Sequence, residues 1–84
     1  MPTILLISGW RFYFYANENN EPVHIHVQKA EREAKFWIDE ELFEIRVAFS
    51  YRMSPRDNKE VRKIIFEHFD YILEQWKQFN ERKQ

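Results

Sequence analysis

Pro22-Val23-His24-Ile25-His26-Val27 decides how this chain folds. Every second residue is β-branched, the pattern of a strand, in which successive side chains point to opposite faces. Val23, Ile25 and Val27 share one face, and His24 and His26 share the other. Pro22 cannot donate to a ladder and suits the strand's first position. Upstream, Trp10, Phe12 and Phe14 alternate with Arg11, Tyr13 and Tyr15. Downstream, Ala34, Phe36 and Ile38 alternate with Lys35, Trp37 and Asp39. Phe43, Ile45, Val47, Phe49 and Tyr51 then alternate with Glu44, Arg46, Ala48 and Ser50. Thr3 to Ile7 is a fifth, short β-rich run. The connections are brief: Ser8-Gly9 with the chain's single Gly, an Asn-rich loop over Ala16 to Glu21, a charged turn from Lys29 to Glu33, and a turn from Asp39 to Glu41. Such spacing predicts an antiparallel meander.

From Ser54 the period changes. Ser54 is a good N-cap, Pro55 fits the first helical position, and Asp57 lies near the positive helix end. Val61, Ile64, Ile65, Phe69, Ile72, Leu73, Trp76 and Phe79 follow at spacings of three and four, one apolar stripe on a helix. An unbroken helix over residues 55–82 would run to about 40 Å. A break near His68-Phe69-Asp70 would give a helix pair instead. The fold class is therefore α+β: one domain over residues 1–84, with an antiparallel sheet of four or five strands and a C-terminal helix or helix pair packed on one face. The helix-covered face should carry Phe12, Phe14, Ile25, Val27, Phe36, Ile38, Ile45 and Val47. The opposite face should carry Arg11, Tyr13, Tyr15, His24, His26, Gln28, Lys35, Trp37, Asp39, Glu44 and Arg46. A single bulge would flip part of this assignment.

Composition narrows the function classes. With no Cys among 84 residues, disulfides, thiolate catalysis and cysteine-ligated zinc are excluded. A formal net charge of -1 argues against strong non-specific nucleic-acid binding, which depends on Lys and Arg neutralising phosphates. The first residues lack the basic start and long apolar run of a signal peptide, and no stretch approaches the roughly 20 apolar residues of a membrane span. The expectation is a cytoplasmic protein that does not engage membranes. Eight Phe, four Tyr and three Trp supply a dense aromatic core for so short a chain.

The histidine face offers three kinds of work. A metal site needs three or four ligands. Beside His24 and His26 the candidates are Asp39, Glu44 or His68, so no metal or cofactor is expected. RNA cleavage without a metal needs an acid/base group and a cation for the phosphate. His24 or His26 could serve as the first and Arg11 or Lys35 as the second, with Tyr13, Tyr15 and Trp37 stacking bases. Protein binding requires the fewest special groups. Tyr13, Tyr15, His24, His26 and Trp37 would form an aromatic docking face, and the sheet edges are open to a partner or to a second copy. Trp76 and Phe79 read as core or interface.

The residues also resemble a known family. Met1-Pro2-Thr3-Ile4, Gly9 followed by Trp10-Arg11-Phe12-Tyr13-Phe14-Tyr15, the Glu-Pro-x-His-x-His-Val segment at Glu21 to Val27, Ala34-Lys35-Phe36-Trp37-Ile38 and Trp76 together resemble the small bacterial family called domain of unknown function 4160. The resemblance covers nearly the whole chain. It implies a compact α+β fold and a component of a toxin–antitoxin-like two-gene module, whose partner is a small protein encoded by a neighbouring gene. Many members of the family carry a further His before the Pro, where this chain has Asn19-Asn20-Glu21.

Overall fold

β1 (Thr3–Ile7), β2 (Trp10–Tyr13), β3 (His24–Lys29), β4 (Arg32–Asp39) and β5 (Glu44–Tyr51) form one antiparallel meander in the order β1-β2-β3-β4-β5. α1 (Pro55–Glu67) and α2 (Phe69–Arg82) follow. The computed structural model describes residues 3–15 and 21–82. The loop read over Ala16 to Glu21 therefore lies outside the described residues except for Glu21. β2 ends at Tyr13 rather than at Tyr15, and β4 extends from Arg32 to Asp39, because the preceding turn is only Ala30-Glu31.

Direct cross-strand neighbours share a face. Phe12 pairs with Val27, Ile25 with Phe36, and Ile38 with Ile45, and all six are buried together with Trp10, Phe14 and Ala34. Val61, Ile64 and Ile65 of α1 and Phe69, Ile72 and Leu73 of α2 complete this core. Trp10 also donates its indole N–H to Glu60 of α1. The expected helix-covered face is correct except for Val47, which is half exposed near the sheet edge.

Two bulges modify the alternation. On β1, Thr3 pairs with Tyr13 and Leu5 with Phe12, leaving Ile4 as the extra residue. On β5, Val47 pairs with Phe36 and Phe49 with Lys35, leaving Ala48 as the extra residue. Beyond Ala48 the side chains change sides. Phe49 and Tyr51 do not continue the face of Ile45 and Val47; they stand opposite Lys35 and Glu33, on the histidine face. An inserted residue shifts a period of two by one step, so everything past it reverses.

The helix start is as expected. Ser54 Oγ accepts from the Asp57 N–H at 3.0 Å, and the Asp57 carboxylate accepts from the Ser54 N–H at 3.0 Å, a reciprocal capping box. These hydrogen bonds, with the nearby Arg32 guanidinium at 3.3 Å, hold the Asp57 carboxyl below its usual value. The helical run is broken, and the break falls at His68, where φ is -119° and ψ is 26°. No Pro or Gly causes it. The His68 ring Nδ1 lies 3.0 Å from the Ile64 carbonyl, and its backbone N–H is shared between Ile64 and Ile65. A side chain competing for a helical carbonyl is a recognised cause of a kink.

Ala30 opens its two-residue turn at φ 54°, in the left-handed region. For an L residue with a Cβ that conformation costs about 1–2 kcal/mol. Ala30→Gly should therefore raise stability by about 1 kcal/mol, read as a higher urea midpoint at unchanged slope. An unchanged midpoint would show that the strain relieved does not exceed the entropy a glycine adds to the unfolded chain.

Candidate functional site

The register brings the predicted residues together. Tyr13 pairs with His26, His26 with Lys35, and His24 with Trp37, so five neighbouring positions of three strands share one face. The rings pack edge to face. Tyr15 lies 4.4 Å from His26, His24 lies 5.2 Å from His26 and 5.6 Å from Trp37, and Tyr13 stacks on His26 at 5.4 Å. Trp76 of α2 closes one side, 4.9 Å from His24 and 5.2 Å from Phe14. It joins the two faces of the sheet at the end where β2 finishes and β3 begins.

Burial is the main departure from the sequence reading. The face was expected to be an open surface, yet His24 is 0% exposed, His26 4% and Tyr13 2%. They form a second, smaller core of rings. None of the four candidate catalytic side chains (Arg11, His24, His26 and Lys35) stands free. His24 Nδ1 lies 2.8 Å from the Pro22 carbonyl, a contact in which the ring N–H donates. Lys35 pairs with Glu21 at 2.5 Å and lies over the Trp37 ring at 4.4 Å. Arg11 Nε donates to Thr3 Oγ1 at 2.8 Å, and its guanidinium lies over Tyr13 at 4.6 Å. A buried polar group held this way stabilises a fold, but it cannot reach a substrate without opening it.

The accessible part of the face lies towards β5. Arg46, Phe49 and Tyr51 are exposed there, with Phe49 at 45% and Tyr51 at 53%. A groove of about 580 Å³ runs past Trp37, between Pro22 and Val23 on one side and Asp39 and Arg46 on the other. Of the predicted binding residues, Trp37 and Tyr15 retain partial exposure. Phe49 and Tyr51 were missed because nothing in the sequence marks Ala48 as a bulge. The third metal-ligand candidates do not converge: among the described residues no group of three His, Asp or Glu is placed to hold an ion.

The family model described as domain of unknown function (DUF4160) matches residues 9–77, from the first hairpin turn to the last third of the chain. The chain belongs to that family. No curated protein and no solved structure matches it. The DUF4160 match spans β2 to β5 and the helical run as far as Lys77, and so contains the whole ring cluster, Trp76 included; β1 lies outside it.

Tyr13 reports on the cluster. Burial, followed by its hydrogen bond with Tyr15, raises its phenol well above the ordinary value near 10. The native state therefore keeps a proton that the unfolded chain gives up near pH ~10. That contribution is complete below this pH and is lost as pH rises above it. Tyr13→Phe should flatten the fall in stability between about pH 9.5 and 11.5, followed by urea midpoints across that range. The same decline in the variant and the parent would mean that Tyr13 ionises freely in the fold.

Proposed function

We propose that this protein works by binding another protein, as the small component of a bacterial toxin–antitoxin-like two-gene module. The observation carrying this reading is the split within the histidine face. His24, His26 and Lys35 are buried and engaged and Arg11 is half-buried and engaged, while large aromatic side chains are exposed beside them at Phe49 and Tyr51. Exposed Tyr, Phe and Trp flanked by Arg are the residue types that dominate binding hot spots. In this reading Trp37, Phe49 and Tyr51 anchor the partner and Arg46 orients it. Tyr13, His24 and His26 pack beside this platform on the same face and act as positioning residues.

The test uses the full chain and the product of the neighbouring gene, co-expressed and measured by calorimetry. Phe49→Ser with Tyr51→Ser should weaken the complex by at least about tenfold, or roughly 1.4 kcal/mol, with an unchanged thermal midpoint. An undiminished affinity would remove this face from the interface.

One observation favours a second reading, RNA binding. Phe49 and Tyr51 lie two residues apart on one face, and the Arg52 guanidinium is 5.3 Å from the Tyr51 ring. Stacking on such a pair is worth about 1–3 kcal/mol per base. A labelled single strand of about ten nucleotides should then bind at low salt and lose affinity in the same double variant. Cleavage that is lost in His26→Ala at an unchanged thermal midpoint would make the protein a nuclease, and growth arrest on expression of the chain alone would accompany it.

A further inference from the structure

The formal net charge of -1 conceals a strong polarity. Residues 39–45 contain four acids and residues 64–75 three, and neither segment contains a Lys or Arg. Half of the 14 acids thus lie in two short stretches, and all 13 Lys and Arg lie elsewhere in the sequence, although in the fold Lys77 pairs with Glu40 and Arg46 with Glu44. The fold brings these stretches together. The first closes β4 to β5 and the second spans the joint between the helices. Phe43 lies 4.5 Å from Phe69 and 5.2 Å from Phe66, and Phe66 stacks parallel to Phe69 at 6.2 Å.

Between these rings is a notch of about 240 Å³, with Glu67 and Asp70 at its rim. Around it Leu42 is 60% exposed, Phe43 55% and Tyr71 44%. Phe43 is held at φ 53°, a conformation bulky side chains avoid. The Asp39 carboxylate fixes the turn by accepting the Leu42 N–H at 3.0 Å. Strained residues of this kind concentrate where a surface is used. The notch is smaller than the roughly 300–1,000 Å³ of a small-molecule site. It suits a single inserted side chain.

We propose that this notch docks a basic, amphipathic segment of a partner protein. A Phe or Leu of that segment enters between Phe43, Phe66 and Phe69, and its Lys and Arg residues meet the acidic rim. Charge complementarity selects this occupant: an apolar anchor flanked by acids repels an acidic segment and steers a basic one. A second copy offers exposed basic side chains at Arg52, Arg56 and Lys59. Joining unlike surfaces head to tail gives a ring or a filament and not the isologous pair that is commonest among oligomers, which favours a different protein as the occupant. The inference rests on the reading of this molecule as a binding protein but uses none of the Phe49 and Tyr51 surface.

The experiment is an amide-resolved NMR titration of the full chain at low salt. The probe is a synthetic helical peptide with Leu and Phe on one side and Lys and Arg on the other, compared with a peptide of the same apolar pattern bearing Glu and Asp. Shifts should be confined to residues 39–45 and 64–75, weaken with added salt, and be absent with the acidic peptide. Phe43→Asn keeps a residue that tolerates left-handed φ, so the turn survives, and it should weaken binding at least about tenfold. Phe49→Ser with Tyr51→Ser should bind the peptide as the parent does, which separates this notch from the sheet face. The proposal falls if the acidic peptide binds equally, if shifts are absent or map to residues 46–51, or if Phe43→Asn binds unchanged. It also falls if sedimentation shows self-association that Phe43→Asn abolishes, because the occupant is then a second copy.

Discussion

The central strand must be buried on both sides although the chain supplies only one layer of helices. β3 is third of five strands, and His24, Ile25, His26 and Val27 are all buried. Ile25 and Val27 meet the helical layer in the ordinary way. His24 and His26 meet rings instead: Tyr13, Tyr15, Trp37 and, from the far end of the chain, Trp76. Imidazole suits this position because its edges can satisfy a hydrogen bond while its faces pack against other rings. The Pro22 carbonyl accepts one such bond from His24. The His-x-His motif is thus the means by which a thin sheet acquires a second core.

The helix break follows from the same constraint. Helices of 13 and 14 residues joined straight through His68 would span about 40 Å, against a longest molecular dimension of 37 Å. A straight helix would run past the sheet. The bend at His68 turns α2 so that Tyr71 reaches the Ile4 carbonyl of β1, while Trp76 reaches His24 at the start of β3. One imidazole therefore interrupts a helix so that a tryptophan can seal the other two. With those groups committed to structure, what remains accessible is the β5 end of the face and the rim of the helix joint.

Much of this was legible in the residues. Alternation placed His24, His26, Lys35, Trp37 and Arg46 on one face, because a period of two survives any change in strand length. Ser54 and Asp57 marked the helix start through local chemistry alone. The bulge at Ala48 was not legible: a small residue among β-formers gives no sign of being extra, and the ladder with β4 decides it. The burial of the histidines was also hidden. It depends on Trp76, which lies 52 positions after His24, and no local pattern encodes a contact of that range.

The turns show where the sequence departs from the cheapest choice. Ser8, Ala30, Phe43 and Arg52 all adopt positive φ, the region glycine occupies without penalty, while the chain's one Gly is at position 9. At Ser8 and Gly9 the two-residue turn itself demands the conformation. At Arg52 the left-handed residue ends β5 after its change of face and places the guanidinium beside Tyr51. Phe43 differs from these. Asn or Gly would serve its turn at lower cost, and a phenylalanine there leaves more than half its surface exposed. Its ring nevertheless packs on Phe66 and Phe69 and completes an apolar notch within an acidic rim. A residue unfavourable to its own turn and only half useful to the core is best explained by what meets its outer surface, and the surrounding charge points to a basic partner.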